Sequence, residues 1–310
     1  MEIDLVYLWV NGNDPVWQAK RQAVAGNVET RSSANCKGRY VDNGELKYSL
    51  RSVDRYAPWI RKIFIVTDNQ VPEWLDTTNP KIQIVDHTQI LPKESLPCFN
   101  SALIEHFLFR IPGLSEHFIY ANDDMLLNRP VTPNTFFESD GFPIVRMHRK
   151  HFRKFYLWFR EKVLKKKPTN HVRLISNAAA LVEDKYGIYI GSRTHHNIDA
   201  YCRSDYERVH NIFKDNIAKV LSHHTRNDKD IERQIYSYVP LIEKRAHVEY
   251  VDGNTSFRIQ IHKVRQYEMM EEFNPIFLCL NDSEYAHDSD RMRSKEFLEG
   301  RFPEKSQFEK

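Results

Sequence analysis

Three short apolar runs in the first 124 residues each break off into a cluster of carboxylates and amides, and this recurrence constrains the fold more than any other feature of the chain. Ile3 to Val10 ends in Asn11-Gly12-Asn13-Asp14-Pro15, Arg61 to Thr67 in Asp68-Asn69-Gln70, and Glu116 to Tyr120 in Ala121-Asn122-Asp123-Asp124. Apolar runs this short, bounded by polar residues, read as buried parallel strands. Between the first two, Leu46, Leu50 and Val53 fall at helical spacing over Glu45 to Tyr56, and Pro58 closes the segment. Lys81 to Val85 supplies a further strand and Ser101 to Arg110 a further helix. This alternation predicts an α/β fold, a Rossmann-like, mostly parallel sheet with flanking helices, over residues 1–144. Such sheets bind ligands beyond the carboxyl ends of their strands, so the three polar clusters are expected to converge on one crevice.

The pattern then changes. Residues 145–242 read as a basic, mainly helical subdomain, for example Asp199 to Lys219 with a ragged stripe of Tyr201, Val209, Ile212 and Ile217. Residues 243–310 return to the core through the apolar run Ile276 to Leu280, followed by Asn281-Asp282. The net charge of +3 hides one segment: Arg146 to Arg173 holds eleven Lys and Arg against Glu161 alone, which leaves the remainder net negative. Within it Phe152, Phe155, Tyr156, Phe159 and Val163 share a helical face, with Arg153 and Lys154 interleaved and Lys165-Lys166-Lys167 beyond. A helix of this kind either lies on an anionic membrane surface or polyanion, or packs on the sheet with its cations in solvent. Nucleic acid is not an expected partner, because no binding-module signature accompanies the patch.

Only 10 glycines occur, with no G-x-x-x-x-G-K-[ST] and no G-x-G-x-x-G, so any nucleotide is held through side chains and metal. Cys36, Cys98, Cys202 and Cys279 are widely dispersed and form no C-x-x-C pair, as expected of reduced thiols in a cytoplasmic protein. No signal peptide is read at the N-terminus, and no apolar run approaches the roughly 18 residues of a membrane span.

Adjacent carboxylates at Asp123 and Asp124 repel one another unless a cation lies between them. A Mg²⁺ or Mn²⁺ bound to diphosphate oxygens would relieve that repulsion; an acidic turn capping the next element is the plainer alternative. Glu45 begins a helix, where the dipole alone favours a carboxylate. His195-His196 and His223-His224 offer imidazoles for general base work on a hydroxyl or for metal binding, and such pairs also arise as one structural and one exposed residue. Arg226 precedes the helical run Ile231 to Val239, where it either receives phosphate or forms a surface salt bridge to Asp228 or Asp230.

The sequence resembles the Stealth family, which contains bacterial capsular-polysaccharide hexose-1-phosphate transferases and the catalytic subunit of the animal enzyme that places GlcNAc-1-phosphate on lysosomal proteins. Four regions carry the resemblance: IDLVYLWVNGNDP from Ile3; ELKYSLRSVDRYAPWIRKIFIVTDNQVPEWL from Glu45 through HFIYANDDMLLNRPVTPNTFF; RTHHNIDAYCRSDYERV from Arg193 with SHHTRNDKDIERQIYSYV from Ser222; and FLCLND from Phe277 with GRFPEKSQFE near the end. The resemblance implies transfer of hexose-1-phosphate from a UDP-sugar to a saccharide hydroxyl, with a divalent cation, in capsule or exopolysaccharide synthesis at the cytoplasmic face of the membrane. By this match Asn11, Gly12, Asp14, Asp68, Asn122 and Asp282 are expected at the donor, and Asp123 and Asp124 at the metal. His196 (or His195, one residue away), Arg226, Asp124 and Glu45 are expected in catalysis. A metal-dependent glycosyltransferase releasing a nucleoside diphosphate remains the competing enzyme. An inactive saccharide- or membrane-binding module is the competing non-enzyme, and a relic would have no reason to retain Asp123, Asp124, His196 and Arg226 together.

Overall fold

The structure, a computed structural model, describes residues 1–25, 36–150 and 153–310. Its elements begin with β1 (Ile3–Leu8), α1 (Pro15–Ala25), α2 (Glu45–Tyr56), β2 (Ile63–Thr67), β3 (Ile82–Asp86), α3 (His87–Ile90), α4 (Ser101–Glu105), β4 (His117–Asn122) and β5 (Met125–Leu127). The middle of the chain forms β6 (Ile144–His148), α5 (Arg153–Lys162), α6 (Asn170–Tyr186), β7 (Arg193–Thr194), β8 (Asp199–Cys202), α7 (Arg203–Ile212), α8 (Lys214–Ala218) and α9 (Ile235–Ile242). It closes with β9 (His247–Tyr250), β10 (Ser256–Gln260), α10 (Arg265–Phe273), β11 (Phe277–Asn281) and α11 (Asp288–Arg301).

The main sheet has the order β3-β2-β1-β4-β8, with β3, β2, β1 and β4 parallel and β8 antiparallel at the edge. Its strands are apolar on both faces because both are covered. Val6, Phe64, Val66, Phe118 and Tyr120 face one core with α7 and α9, while Leu5, Tyr7, Ile63, Ile65 and Ile119 face another with Leu46, Leu50 and Val53 of α2. Each such side chain contributes roughly 1.5–3 kcal/mol by leaving water. The α/β class and the span of α2 agree with the periodicity of the sequence. Residues 145–242 are mainly helical, but they also hold β6, β7 and β8, and Asp199–Cys202 is the fifth strand of the main sheet rather than the start of a helix. A short edge strand is stabilised by its ladder with β4, which no local period announces.

Two smaller sheets complete the site. In β10-β11-β5, Cys279 of β11 lies opposite Met125, and the Leu280 N–H donates to the Asp124 carbonyl at 2.9 Å. This pairing carries Asn281-Asp282 to the end of β4, which Leu8 of β1 already faces through Asn122. In β7-β6-β9, β6 runs parallel to β9 and antiparallel to β7, which leads into His195-His196.

Candidate active site

A cleft of about 150 Å³ opens at the carboxyl ends of β1 and β4 and gathers residues from the whole length of the chain. Glu45, Asn122, Asp123, Asp124, His196, Arg226 and Asp282 all line it. Gly44 enters α2 at φ +86°, a conformation that favours glycine, and Glu45 then turns inward. Both Glu45 oxygens accept from Asn43, from its side-chain amide at 2.7 Å and its backbone N–H at 2.9 Å. Burial, and less so the Asp42 carboxylate, pushes Glu45 up to about 7. Asp124 is pushed up to about 6 by burial, and Asp123 is raised well above the usual range by burial together with Asp124, Glu45 and Asp42.

The same cleft also holds cations. Asn100 donates to the His223 carbonyl and to Asp230, and the Phe99 N–H donates to the His224 carbonyl, which fixes the loop before α9 against the start of α4. Arg226 thereby reaches Ser101 Oγ at 2.6 Å and forms no ion pair among the described residues. It does not stand at the mouth of a long helix, since α9 begins only at Ile235. Nor does it bridge to the neighbouring acids, because Asp230 takes His223 at 2.6 Å and Asp228 takes Arg173 at 3.3 Å. Arg39 lies close enough to Arg226 that the second guanidinium, with burial, lowers it to about 10. Two crowded cations in one cleft with a carboxylate cluster are suited to an oxyanion.

His196 lines the same cleft, beside Asp124. It has no hydrogen-bond partner among the described residues, its ring meets that of His171 at 5.9 Å, and burial with His171, Arg258, Arg233 and Arg39 holds it well below the usual histidine range. His195, by contrast, is structural: its Nδ1 meets Ser256 Oγ at 2.9 Å, its Nε2 reaches the Ile198 carbonyl at 3.1 Å, and its ring packs on Phe277.

Four residues expected at the donor do not line the cleft. Asn11 and Asp14 are occupied in the turn before α1: the Val16 N–H donates to Asp14 at 2.8 Å, and Gln70 bridges Asn11 and Asp14. The first two polar clusters therefore bond to each other beside the cleft. A Cβ on Gly12 would lie 1.9 Å from the Tyr40 carbonyl oxygen, so Gly12 permits the close approach that holds Arg39 and Tyr40 in the wall. Asp68 is buried and paired with Lys20. Asp282 does line the cleft, but Arg291 of α11 claims both its oxygens, at 2.7 and 3.1 Å. Sequence reasoning missed Arg39, His87, Cys279 and the aromatic group in which Trp17 meets Phe99 at 5.2 Å and Tyr40 at 5.5 Å.

Asp124, His196 and Cys279 present ligand atoms within 4.8 Å of one another, a candidate metal site. Burial holds the Cys279 thiol well above its usual range, and it donates to Asp124 Oδ2 at 3.5 Å. Asp124 Oδ1 is buried without a partner, and Asp123 lies beside it under mutual repulsion. Oxygen donors of this kind fit a hard divalent cation.

On the basic segment, α5 exposes Phe155, Tyr156, Trp158 and Phe159, with Val163 and Leu164 after it. It is therefore not packed on the sheet. Lys154 is tied to Glu183 of α6 at 2.6 Å, Arg153 is half-buried, and Lys165, Lys166 and Lys167 are exposed. Phe152 lies outside the described residues. No described helix is long and apolar enough to cross a membrane.

Stealth protein CR1, conserved region 1, matches residues 1–29, and Stealth protein CR2, conserved region 2, matches residues 39–145. The capsular polysaccharide phosphotransferase fcs1 of Haemophilus influenzae is 36% identical over 244 residues, 77% of this chain and 64% of that protein. The exopolysaccharide phosphotransferase SCO6023 of Streptomyces coelicolor is 34% identical over 99% of this chain and 52% of its own length. The receptor polysaccharide phosphotransferase WefC of Streptococcus oralis is 48% identical over 143 residues, 46% of this chain and 43% of that protein. The matches thus span from about two fifths to just under two thirds of these relatives. Among solved structures, the galactosyltransferase LgtC aligns over 98% of both chains at 10% identity and a TM-score of 0.47, too low to bear on function.

Proposed function

The chain is a member of the Stealth family through conserved regions 1 and 2, and from that premise we propose that it moves hexose-1-phosphate, such as GlcNAc-1-phosphate, from a UDP-sugar to a saccharide hydroxyl in capsule or exopolysaccharide synthesis. The observation that carries this reading is that one cleft gathers the carboxylates of Glu45, Asp123 and Asp124, the guanidinium groups of Arg39 and Arg226, and the His196 imidazole. Phosphoryl transfer depends on positioning and charge neutralisation more than on covalent help from the protein. Asp123 and Asp124 would hold a Mg²⁺ or Mn²⁺, which when bound neutralises diphosphate charge. Trp17, Tyr40 and Phe99 offer flat surfaces for the nucleobase. Arg226 and Arg39 face the oxygens of the β-phosphate. As the acceptor oxygen bonds to the β-phosphorus, the bond from that phosphorus to the bridging oxygen breaks, UMP leaves, and His196 takes the hydroxyl proton. Through α5 and Lys165 to Lys167 the protein would touch an anionic membrane peripherally.

The test is the identity of the released nucleotide. The chain is incubated with UDP-GlcNAc, Mg²⁺ or Mn²⁺ and a saccharide acceptor, and products are read by mass spectrometry. UMP and a phosphodiester-linked product are expected, and Arg226→Ala should slow their appearance at least ~10²-fold, as loss of a comparable electrostatic stabiliser does. Release of UDP with a glycosidic product would replace this reading with glycosyl transfer.

A further inference from the structure

His196 also lines a second cavity, of about 380 Å³. Its walls come from β7, β10 and the segment before α9, and they are rich in nitrogen: Arg193, Arg233, Arg258, His148 and His171 all face it. Only two acids do, and both are engaged. Asp252 accepts from the Asn254 N–H, the Thr255 N–H and the Thr255 hydroxyl, while Glu232 accepts from the Gln234 N–H at 2.7 Å and is pushed up to about 7 by burial. Arg233 is neutralised by Asp199 at 2.7 Å. Arg193, half-buried, and Arg258, exposed on β10, have no ion pair among the described residues. The surrounding groups respond to this unbalanced charge. After burial, Arg193 is the next cause lowering His148 to about 4, and Arg258 is the next cause lowering Arg193 itself.

Resting on the phosphoryl-transfer reading above, we propose that this second cavity is the acceptor site and that Arg193 and Arg258 select a saccharide already carrying a phosphodiester. Three features lead there. The cavity meets the cleft at His196, where an acceptor hydroxyl has to lose its proton. Its size is that of a ligand site rather than of a packing defect. Its uncompensated charges are guanidinium groups, whose planar fork matches two phosphate oxygens better than a point charge does. The group that fits is the one the reaction itself would make. A saccharide extended once carries a phosphodiester behind its new terminal sugar, so such a site favours repeated addition to one chain over single transfer to neutral sugars.

Calorimetry on the full chain without donor tests the cavity separately from the chemistry. The probes are a hexose trimer joined by phosphodiesters, the same trimer joined by glycosidic bonds, and a hexuronic acid trimer. The phosphodiester trimer is expected to bind about tenfold or more tighter than the other two, and Arg258→Gln and Arg193→Gln should each abolish most of that advantage while leaving the neutral trimer unaffected. Arg258→Lys should restore only part of it. Equal binding of the three probes, equal preference for the uronate, or unchanged binding in the variants would overturn the proposal. Should Arg193→Gln fail to fold, the exposed Arg258 and the three-probe comparison on the unaltered chain still decide. Absence of UMP release by the unaltered chain would overturn the reaction and leave this binding result standing.

Discussion

His106 Nδ1 lies 2.8 Å from the Tyr236 hydroxyl, and its Nε2 donates to the Ile231 carbonyl at 3.1 Å, all within the core. Burial, reinforced by His210, lowers its pKa to about 3. An unfolded histidine titrates near 6.5, so below that pH the unfolded chain binds a proton that the folded chain refuses, and stability falls as pH drops from about 6.5 towards 3. His106→Gln lacks this linkage. The substitution should cost about 1–3 kcal/mol at pH 7.5 through the disturbed hydrogen bonds, and that deficit should shrink by about 2 kcal/mol at pH 5. Urea denaturation of both proteins at the two pH values measures it, and a deficit independent of pH would show that His106 carries no such penalty. The sequence displays this histidine only as one of 14; what distinguishes it is a contact with residues 130 and 125 positions away.

At the scale of elements, legibility followed how local each element's cause is. Helix α2 could be read to its ends because an apolar period and a following proline lie within it or beside it. Strand β8 could not, because what holds it is its ladder with β4, some eighty residues earlier. The same distinction divides the site. Asp123 and Asp124 announce themselves as neighbours, while Arg39, Cys279 and Arg258 reach their places through separate strands and loops. Helix α5 had two readings in sequence, and its exposure sets aside packing on the sheet, since Phe155, Tyr156 and Trp158 are each more than half exposed. An exposed aromatic face beside Lys165, Lys166 and Lys167 should bind vesicles containing phosphatidylserine at low salt and release them as screening rises. Replacing the three lysines with glutamine should reduce sedimentation with those vesicles severalfold and leave the melting midpoint within about a degree; equal sedimentation with purely zwitterionic vesicles would sink the membrane assignment.

The whole molecule carries a net charge of +3, yet its cleft gathers both carboxylates and guanidinium groups. Under the proposed function, this arrangement would make two ligands depend on each other. A diphosphate arriving alone would meet the carboxylates of Glu45, Asp123 and Asp124, all raised by burial and Asp123 further by its two neighbours; a divalent cation arriving alone would lack the phosphate oxygens that complete its shell. Each therefore binds better with the other present, and by linkage the benefit is mutual. A ligand at a hundred times its dissociation constant stabilises the folded state by about 2.7 kcal/mol, which for a chain of this size is worth roughly 4 °C in melting midpoint. UDP-GlcNAc with Mg²⁺ should raise the midpoint by about that much at pH 7.5, whereas either alone, the nucleotide sugar in the presence of a chelator, should raise it by a degree or less. Because protons compete for Glu45 and Asp124 near pH 7 and 6, the joint shift should shrink as pH is lowered towards 6. Additive shifts, or a nucleotide-sugar shift that survives the chelator, would mean that the acidic wall does not hold a cation between itself and the donor, and Asp123 and Asp124 would need another explanation.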